Sequence, residues 1–481
     1  MFDLSQDSIT EGSISRALVV LSVPIIGMQI VHVINSIVDT FWLGRVGENA
    51  VAAVGLIVPI IALVAAVQVL AAGGTQIVVS QHIGTEDRPA ARRVTFNGIL
   101  LTFALFVVVA SFVILNAEDL LRLIGAGPEL AGLAALYLAT LIAFYPVAAA
   151  SDTAEYAYTA VGDSRAGLHI NVLTAAVNFA LDPFLIFGWW VFPELGVQGA
   201  AIASGVGMTT GAMLTVVYIA GYRETFQLTR ESLSVDLGDV REILDVGAPL
   251  GVQRVIGQTV RVMVIGLVTI AGGAPAVAAY TVGARVAGIA IVPCSGMQQA
   301  AQSIIGQNLG ANQASRAFRT TTVGVALAGG LLTVFGGIQW FFPELIVTGL
   351  VPDISGRARE LTVFYLRVLA IGYPAMGATY LVFAGFNGAS RTRTSMVVDV
   401  VKYWGIRLPV ALVAIPATVT LGAYGITASP GLDWGVEAVF WAVTVSNILA
   451  FVGVGSYFVY TARDGMFDRA ADRASDSAGA D

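Results

Sequence analysis

The chain is poor in charge. Only 12% of its 481 residues are Asp, Glu, Lys or Arg, against 56% apolar residues. A soluble protein of this length needs more charge to cover its surface. Cysteine is nearly absent: Cys294 stands alone, so there is no internal disulfide and no cysteine metal cluster. Three histidines, His32, His82 and His169, are too few and too scattered to mark a metal site. No GxxxxGK[ST] phosphate loop and no HExxH motif occurs. The first absence argues against a built-in ATPase.

What is present is apolar length. Twelve stretches of about 20 or more residues, the span of a ~30 Å bilayer core, cover 17–38, 51–72, 95–115, 131–150, 168–190, 198–221, 246–271, 276–304, 321–342, 362–384, 395–418 and 436–460. The runs are continuous rather than alternating, so they read as helices and not as a transmembrane barrel. The first run is expected to be a span, not a leader peptide. It carries Pro24 and lacks a small-residue cleavage site. Of the 25 basic residues, six lie inside these runs; with the N-terminus inside, 15 fall on the cytoplasmic side and four outside. That asymmetry predicts two cytoplasmic termini.

The chain repeats itself at an offset of 226. Ala50-Val51-Ala52-Ala53 recurs as Ala276-Val277-Ala278-Ala279, and Gln81-His82-Ile83-Gly84 as Gln307-Asn308-Leu309-Gly310. Gly162-Asp163-Ser164-Arg165 recurs as Gly388-Ala389-Ser390-Arg391, and Pro24 answers Pro249 with a one-residue slip. An even number of spans per copy gives both copies one orientation. The expected fold is therefore all-α and membrane-integral: twelve helices in two six-helix lobes related by a pseudo-two-fold axis along the membrane normal. The expected divisions are an N-terminal lobe at 1–221, a cytoplasmic linker at 222–242, a C-terminal lobe at 243–462 and a disordered tail at 463–481.

Ionisable groups in hydrocarbon cost at least ~2.5–3.5 kcal/mol on insertion scales, so each needs a reason. Asp182 and Asp399 lie inside the runs, and Asp39 just past the first. Helical rise puts Asp39 about 35 Å from Arg16, and Asp182 about 26 Å from Arg165. Ser204 sits at a similar outer depth. Asn178 and Asp182, at i and i+4, share a helix face. Two carboxylates at one depth can share a proton, and Asp, Asn and Ser oxygens also suit Na⁺. The structural alternative is that these acids partner buried arginines. Asp399 and Lys402, at i and i+3, are expected to pair. Arg254 and Arg261 share a face of the seventh helix, where they either neutralise acids or line a cavity. Pro24 removes a backbone hydrogen bond and makes either a hinge or a static kink.

These residues resemble a known family. Val38-Asp39-Thr40-Phe41-Trp42-Leu43-Gly44, the block Asn178-Phe179-Ala180-Leu181-Asp182-Pro183-Phe184-Leu185-Ile186-Phe187-Gly188, the stretch from Gly196 to Ser204 and the Gln-x-x-Gly segments look like multidrug and toxin extrusion (MATE) transporters. The resemblance runs from about residue 12 to 462 and looks closest to the DinF-like branch, which includes archaeal members. It implies ion coupling through Asp39, Asn178 and Asp182, with Ser204 where a threonine is usual and Tyr137 joining the network. It implies a bend at Pro24. The acidic residue that the NorM-like branch carries after the seventh-helix proline is missing between Pro249 and Gly257. Candidate substrate contacts are His32, Asp152 and Glu155.

The function this implies is secondary active efflux of amphiphilic or cationic compounds in exchange for H⁺ or Na⁺, by alternating access. No enzyme activity and no cofactor beyond the coupling ion is expected. The expected setting is the plasma membrane, as a monomer, with small molecules and the lipid bilayer as partners and no nucleic acid. The alternative is a flippase for a lipid-linked sugar.

Overall fold

The computed structural model describes residues 6–354, 356–416, 419–421, 426–428 and 431–479. Among them, nine helices are long and apolar enough to cross a membrane. A tenth span is bent by 49° between Pro128–Ile142 and Tyr145–Ala160. The helix Leu237–Gly310 is broken at Gly273, whose φ of 62° and ψ of −158° are open to glycine but not to L-residues. It therefore supplies the seventh and eighth spans. The eleventh runs through Thr392–Val400, a wide π turn at Val401–Arg407, and Leu408–Val413. The twelve-helix plan is thus present. The last two residues of the eleventh predicted run, 417 and 418, lie outside the described residues. One short hairpin interrupts the all-helical pattern, with Val419–Leu421 antiparallel to Ile426–Ala428.

The copies share local structure as well as sequence. At the end of the second span, amides 85, 86 and 87 donate to the carbonyls of Gln81, Ile83 and His82; amides 311, 312 and 313 repeat this on Gln307, Leu309 and Asn308. Glu86 and Asn312 both take positive φ, 63° and 56°. At the turn after the fourth and tenth spans the register differs. Gly162 and Asp163 donate to Thr159 and Tyr158, whereas Ser390 and Arg391 donate to Asn387 and Phe386. The equivalence there is 228, not 226. The Gly-x-Ser-Arg match is a sequence coincidence displaced by two residues from the turn it seemed to mark.

Two compact units emerge, and their limits depart from the expected lobes. The first comprises 1–251, 306–314 and 470–481; the second comprises 252–305 and 315–469. In the first unit, the end of the eighth span lies on the second span through glycine. A Cβ at Gly84 would sit 2.2 Å from the Gln307 carbonyl oxygen, and one at Gly310 would sit 2.2 Å from the Gln81 carbonyl oxygen. A Cβ at Gly306 would sit 1.9 Å from Ser80 Oγ, one at Gly74 2.4 Å from the Ile243 carbonyl oxygen, and one at Gly247 1.9 Å from the Leu70 carbonyl oxygen. Small residues let helix backbones approach in this way.

The segment after the sixth span is tied down. Arg223 pairs with Asp163, which also accepts from Thr225 Oγ1 at 2.6 Å. Asn97 Nδ2 and Arg93 Nε donate to Asp239 at 2.9 and 3.0 Å. Asp239→Ala removes the carboxylate from Arg93 and Asn97, leaving Asp236 3.7 Å from Arg93 and the Arg93 and Ser234 carbonyls on Asn97 Nδ2, and is expected to cost about 1.5–3 kcal/mol. Thermal unfolding in detergent, compared with the exposed control Asp245→Ala, checks this. The tail, expected to be disordered, is helical over Met466–Gly479. Met466, Phe467, Ala470, Ala471 and Ala474 are buried. Acidic composition suggested solvation, but the apolar residues fall at helical spacing on one face.

Candidate functional site

In the first span every residue buried before Leu43 lies at or before Met28. That lower part is held by Ser164 Oγ, which donates to the Leu21 carbonyl at 2.8 Å, and by Met28 against Gly167. Pro24 sits within it. Above Met28, the side chains from Gln29 to Trp42 are at most partly covered. Asp39 stands in this looser part. Asn35, one turn earlier, donates its Nδ2 to Asp39 Oδ2 at 3.1 Å.

The fifth and sixth spans are pressed together by glycine. A Cβ at Gly199 would meet the Leu185 carbonyl at 2.2 Å, and one at Gly207 the Thr174 carbonyl at 2.6 Å. This approach brings the polar groups within reach. Asn178 Nδ2 donates to Asp182 Oδ1 at 3.1 Å and to Ser204 Oγ at 3.3 Å. Asp182 has no exposed surface, and Asn178 and Ser204 are buried. Pro183 lies inside this helix, and Gly188, left-handed at φ 67°, ends it.

The Asp39 and Asp182 side chains are close enough to interact with one another. Buried Tyr137 is near enough to act on both electrostatically. Asp39 Oδ1, Asp182 Oδ2 and Asn178 Oδ1 are buried and receive no hydrogen bond. Two facing carboxylates have no donor between them. A hydrogen bond there requires a proton on one. A hard cation would serve the same oxygens, with Ser204 Oγ as a neutral ligand. Among the described residues no group of three or more His, Cys, Asp or Glu could hold a metal ion. The oxygen set fits H⁺ or Na⁺ better than a transition metal.

Four of the five residues named for ion coupling thus meet through hydrogen bonds or carboxyl contact, with Tyr137 beside them. Asn35 was missed. Its signal was available, because Asn35–Asp39 has the same i, i+4 spacing as Asn178–Asp182. Of the proposed substrate contacts, Asp152 and Glu155 form a second acidic pair, and Asn171 Nδ2 donates to Glu155 Oε2 at 2.6 Å. His32 is exposed on the first span, and no hydrogen bond among the described residues joins it to that pair.

The second unit has a different polarity. Asp399 pairs with Lys402, as its spacing predicted, and accepts from Gln253 Nε2 at 2.6 Å. Arg407 donates to Ser446 Oγ at 2.9 Å and Asn447 Oδ1 at 2.8 Å. Arg254 and Arg261 are exposed, and neither has a salt bridge among the described residues.

Comparison with known proteins places this arrangement. The MatE family model matches the chain twice, over residues 24–184 and 249–413. A probable multidrug resistance protein NorM of Thermotoga maritima is 26% identical over 84% of this chain and 86% of its own length. Another NorM, from Pseudomonas aeruginosa, is 28% identical over 93% and 90%. An FAD transporter of Shewanella oneidensis is 24% identical over 93% and 94%. Among solved structures, a MATE protein in a bent conformation superimposes with a TM-score of 0.86 at 20% identity, covering 97% of this chain and 99% of that one. A MOP superfamily transporter from Pyrococcus furiosus gives 0.85 at 20% identity, over 95% and 98%. The two family matches start at Pro24 and Pro249 and so reproduce the internal repeat; the chain belongs to the MatE family.

Proposed function

We propose that the protein exports amphiphilic organic compounds, cations among them, in exchange for H⁺ or Na⁺ bound between Asp39 and Asp182. The observation that carries this is the facing pair of carboxyls with buried oxygens that no protein donor satisfies. Loading the pair with a proton or a cation neutralises it, and unloading restores a charged site that attracts a cationic compound. Pro24 serves as the hinge in this reading. It lies one turn before Met28, the last buried side chain in the held lower part of the first span. Asp152 and Glu155, with His32 nearer the outer part of the same unit, are the proposed contacts for cationic substrates.

The first-unit carboxylates are the reason for a DinF-like assignment, and the loop arginines for two cytoplasmic termini in a plasma membrane. A monomer suffices, because each of these groups belongs to one chain. The names of the relatives support drug efflux, and none of those reported above is named for a lipid-linked sugar. One is named for FAD, so transport among these relatives is not confined to cations.

The test is efflux of a fluorescent cation from vesicles holding the purified chain, under ΔpH and Na⁺ gradients imposed in turn. A gradient of about 100 mV per exchanged charge is worth ~2.3 kcal/mol, which supports roughly fiftyfold accumulation. At least one gradient is expected to drive transport, and its ionophore to abolish it. Efflux indifferent to both gradients would remove ion exchange as the mechanism.

A further inference from the structure

We propose that the second unit carries a recognition site for organic anions: a carboxylate or phosphate received by Arg254 and Arg261, with its aromatic body against Tyr403. Arg254, Gly257 and Arg261 are spaced i, i+3, i+7, so they share one face of the seventh span. The Tyr403 ring packs on that face between the arginines, since a Cβ at Gly257 would meet its Cε2 at 3.6 Å. Two further cations sit over the same ring, Lys402 Nζ at 4.1 Å and Arg407 Cζ at 4.7 Å from its centroid. All three residues lie in the π turn Val401–Arg407. Such turns recur at functional sites because they redirect side chains without ending the helix.

The charge balance points to an anion. Asp399 neutralises Lys402. Arg407 is held by neutral oxygens. Arg254 and Arg261 are exposed, and neither has a salt bridge among the described residues. Within the apolar run 246–271, Arg254 lies eight residues and Arg261 ten residues from the nearer end, about 12 and 15 Å. That is too deep to snorkel to a membrane surface. Unpaired guanidinium groups at that depth must face a water-filled cavity. There they present forked donors that fit a carboxylate or phosphate two bonds at a time. Tyr280 and Tyr365, in the same unit, stack at 5.7 Å.

This inference rests on the transporter reading, but its test needs no gradient. The full chain is placed in phosphatidylcholine nanodiscs. Calorimetry then measures binding of 1-naphthyl phosphate and of the same ring bearing a trimethylammonium group. The phosphate is expected to bind the parent, and Arg254→Gln or Arg261→Gln to weaken it about tenfold, ~1.4 kcal/mol. Arg254→Lys, which keeps the charge and loses the fork, is expected to fall between. Ammonium binding should be unmoved in every variant, which also shows that they fold. Undiminished phosphate affinity in the double glutamine variant, or no phosphate binding by the parent, overturns the proposal.

Adding phosphatidylglycerol separates the two sources of such an anion. Competition in the parent that vanishes in the variants assigns the site to a lipid headgroup. Without competition it belongs to a free organic anion. A chain that binds the phosphate yet fails gradient-driven efflux keeps this site and loses the exchange reading.

Discussion

Asp182→Asn is expected to reduce gradient-driven efflux to the level of empty vesicles, and Asp39→Asn to do the same. The substitution keeps the shape of the side chain. It also leaves Asn178 and Ser204 bonded to each other. What it removes is the capacity to carry a charge that a proton or a cation can cancel. In the proposed exchange the pair holds one ion, because Asp39 Oδ1 and Asp182 Oδ2 are buried and receive no hydrogen bond. With one amide in place, a side-chain donor permanently fills that gap. Folding should not suffer, because a buried charge is being removed rather than stranded. The measurement is efflux per reconstituted molecule, alongside the thermal midpoint. A variant with an unchanged midpoint and more than half the parent's efflux would end the carboxylate-pair mechanism.

Gly310→Ala is expected to destabilise the protein by about 1–3 kcal/mol through overpacking, and Gly84→Ala by a similar amount. Each new methyl would lie 2.2 Å from a backbone carbonyl oxygen, a group that cannot rotate away. Gly337→Ala supplies the control. Nothing lies within 4 Å of its Cβ position. There alanine should be neutral or stabilising, because it is the better helix former by up to about 1 kcal/mol. Thermal unfolding of the three variants side by side decides the matter. Equal midpoints would show that the two backbones are not in contact. Transport should fall with stability in the first two and not in the third.

The twelve spans were legible because a bilayer demands length, and length is what hydropathy records. The two runs 246–271 and 276–304 bracket Gly273, where the long helix breaks. Legibility failed where polar residues are buried. The fourth run was read as ending at 150, yet the helix continues to Ala160. Ser151 and Thr153 lower its hydropathy but find partners in Thr215 at 2.6 Å and Thr102 at 2.8 Å. The second span likewise reaches Gly84 through buried Thr75, Gln76 and Ser80. Depth and helix face brought Asp39, Asn178, Asp182 and Ser204 together in the sequence, and the structure joins Asn178 to Asp182 and Ser204 by hydrogen bonds. Asn35 obeyed the same rule and was overlooked. Tyr403 was invisible, since only the folded chain lays its ring on Gly257. The repeat paired the Gln81 and Gln307 turns correctly but misplaced the turn at Gly162 by two residues, and it did not show that 306–314 would join the first unit.

That joining has the form of an isologous contact inside one polypeptide. Gly84 meets Gln307 while its counterpart Gly310 meets Gln81, and the two glycines meet each other. This is the signature of a surface touching its own copy, in which residue i contacts j and j contacts i. In a true homodimer, every substitution in such a seam is made twice, and neither half can specialise. Fusion lifts that constraint. One copy is free to collect carboxylates at 39 and 182 while the other gathers arginines at 254 and 261 instead. Covalent continuity lets a duplicated fold hold opposite charges in its two halves.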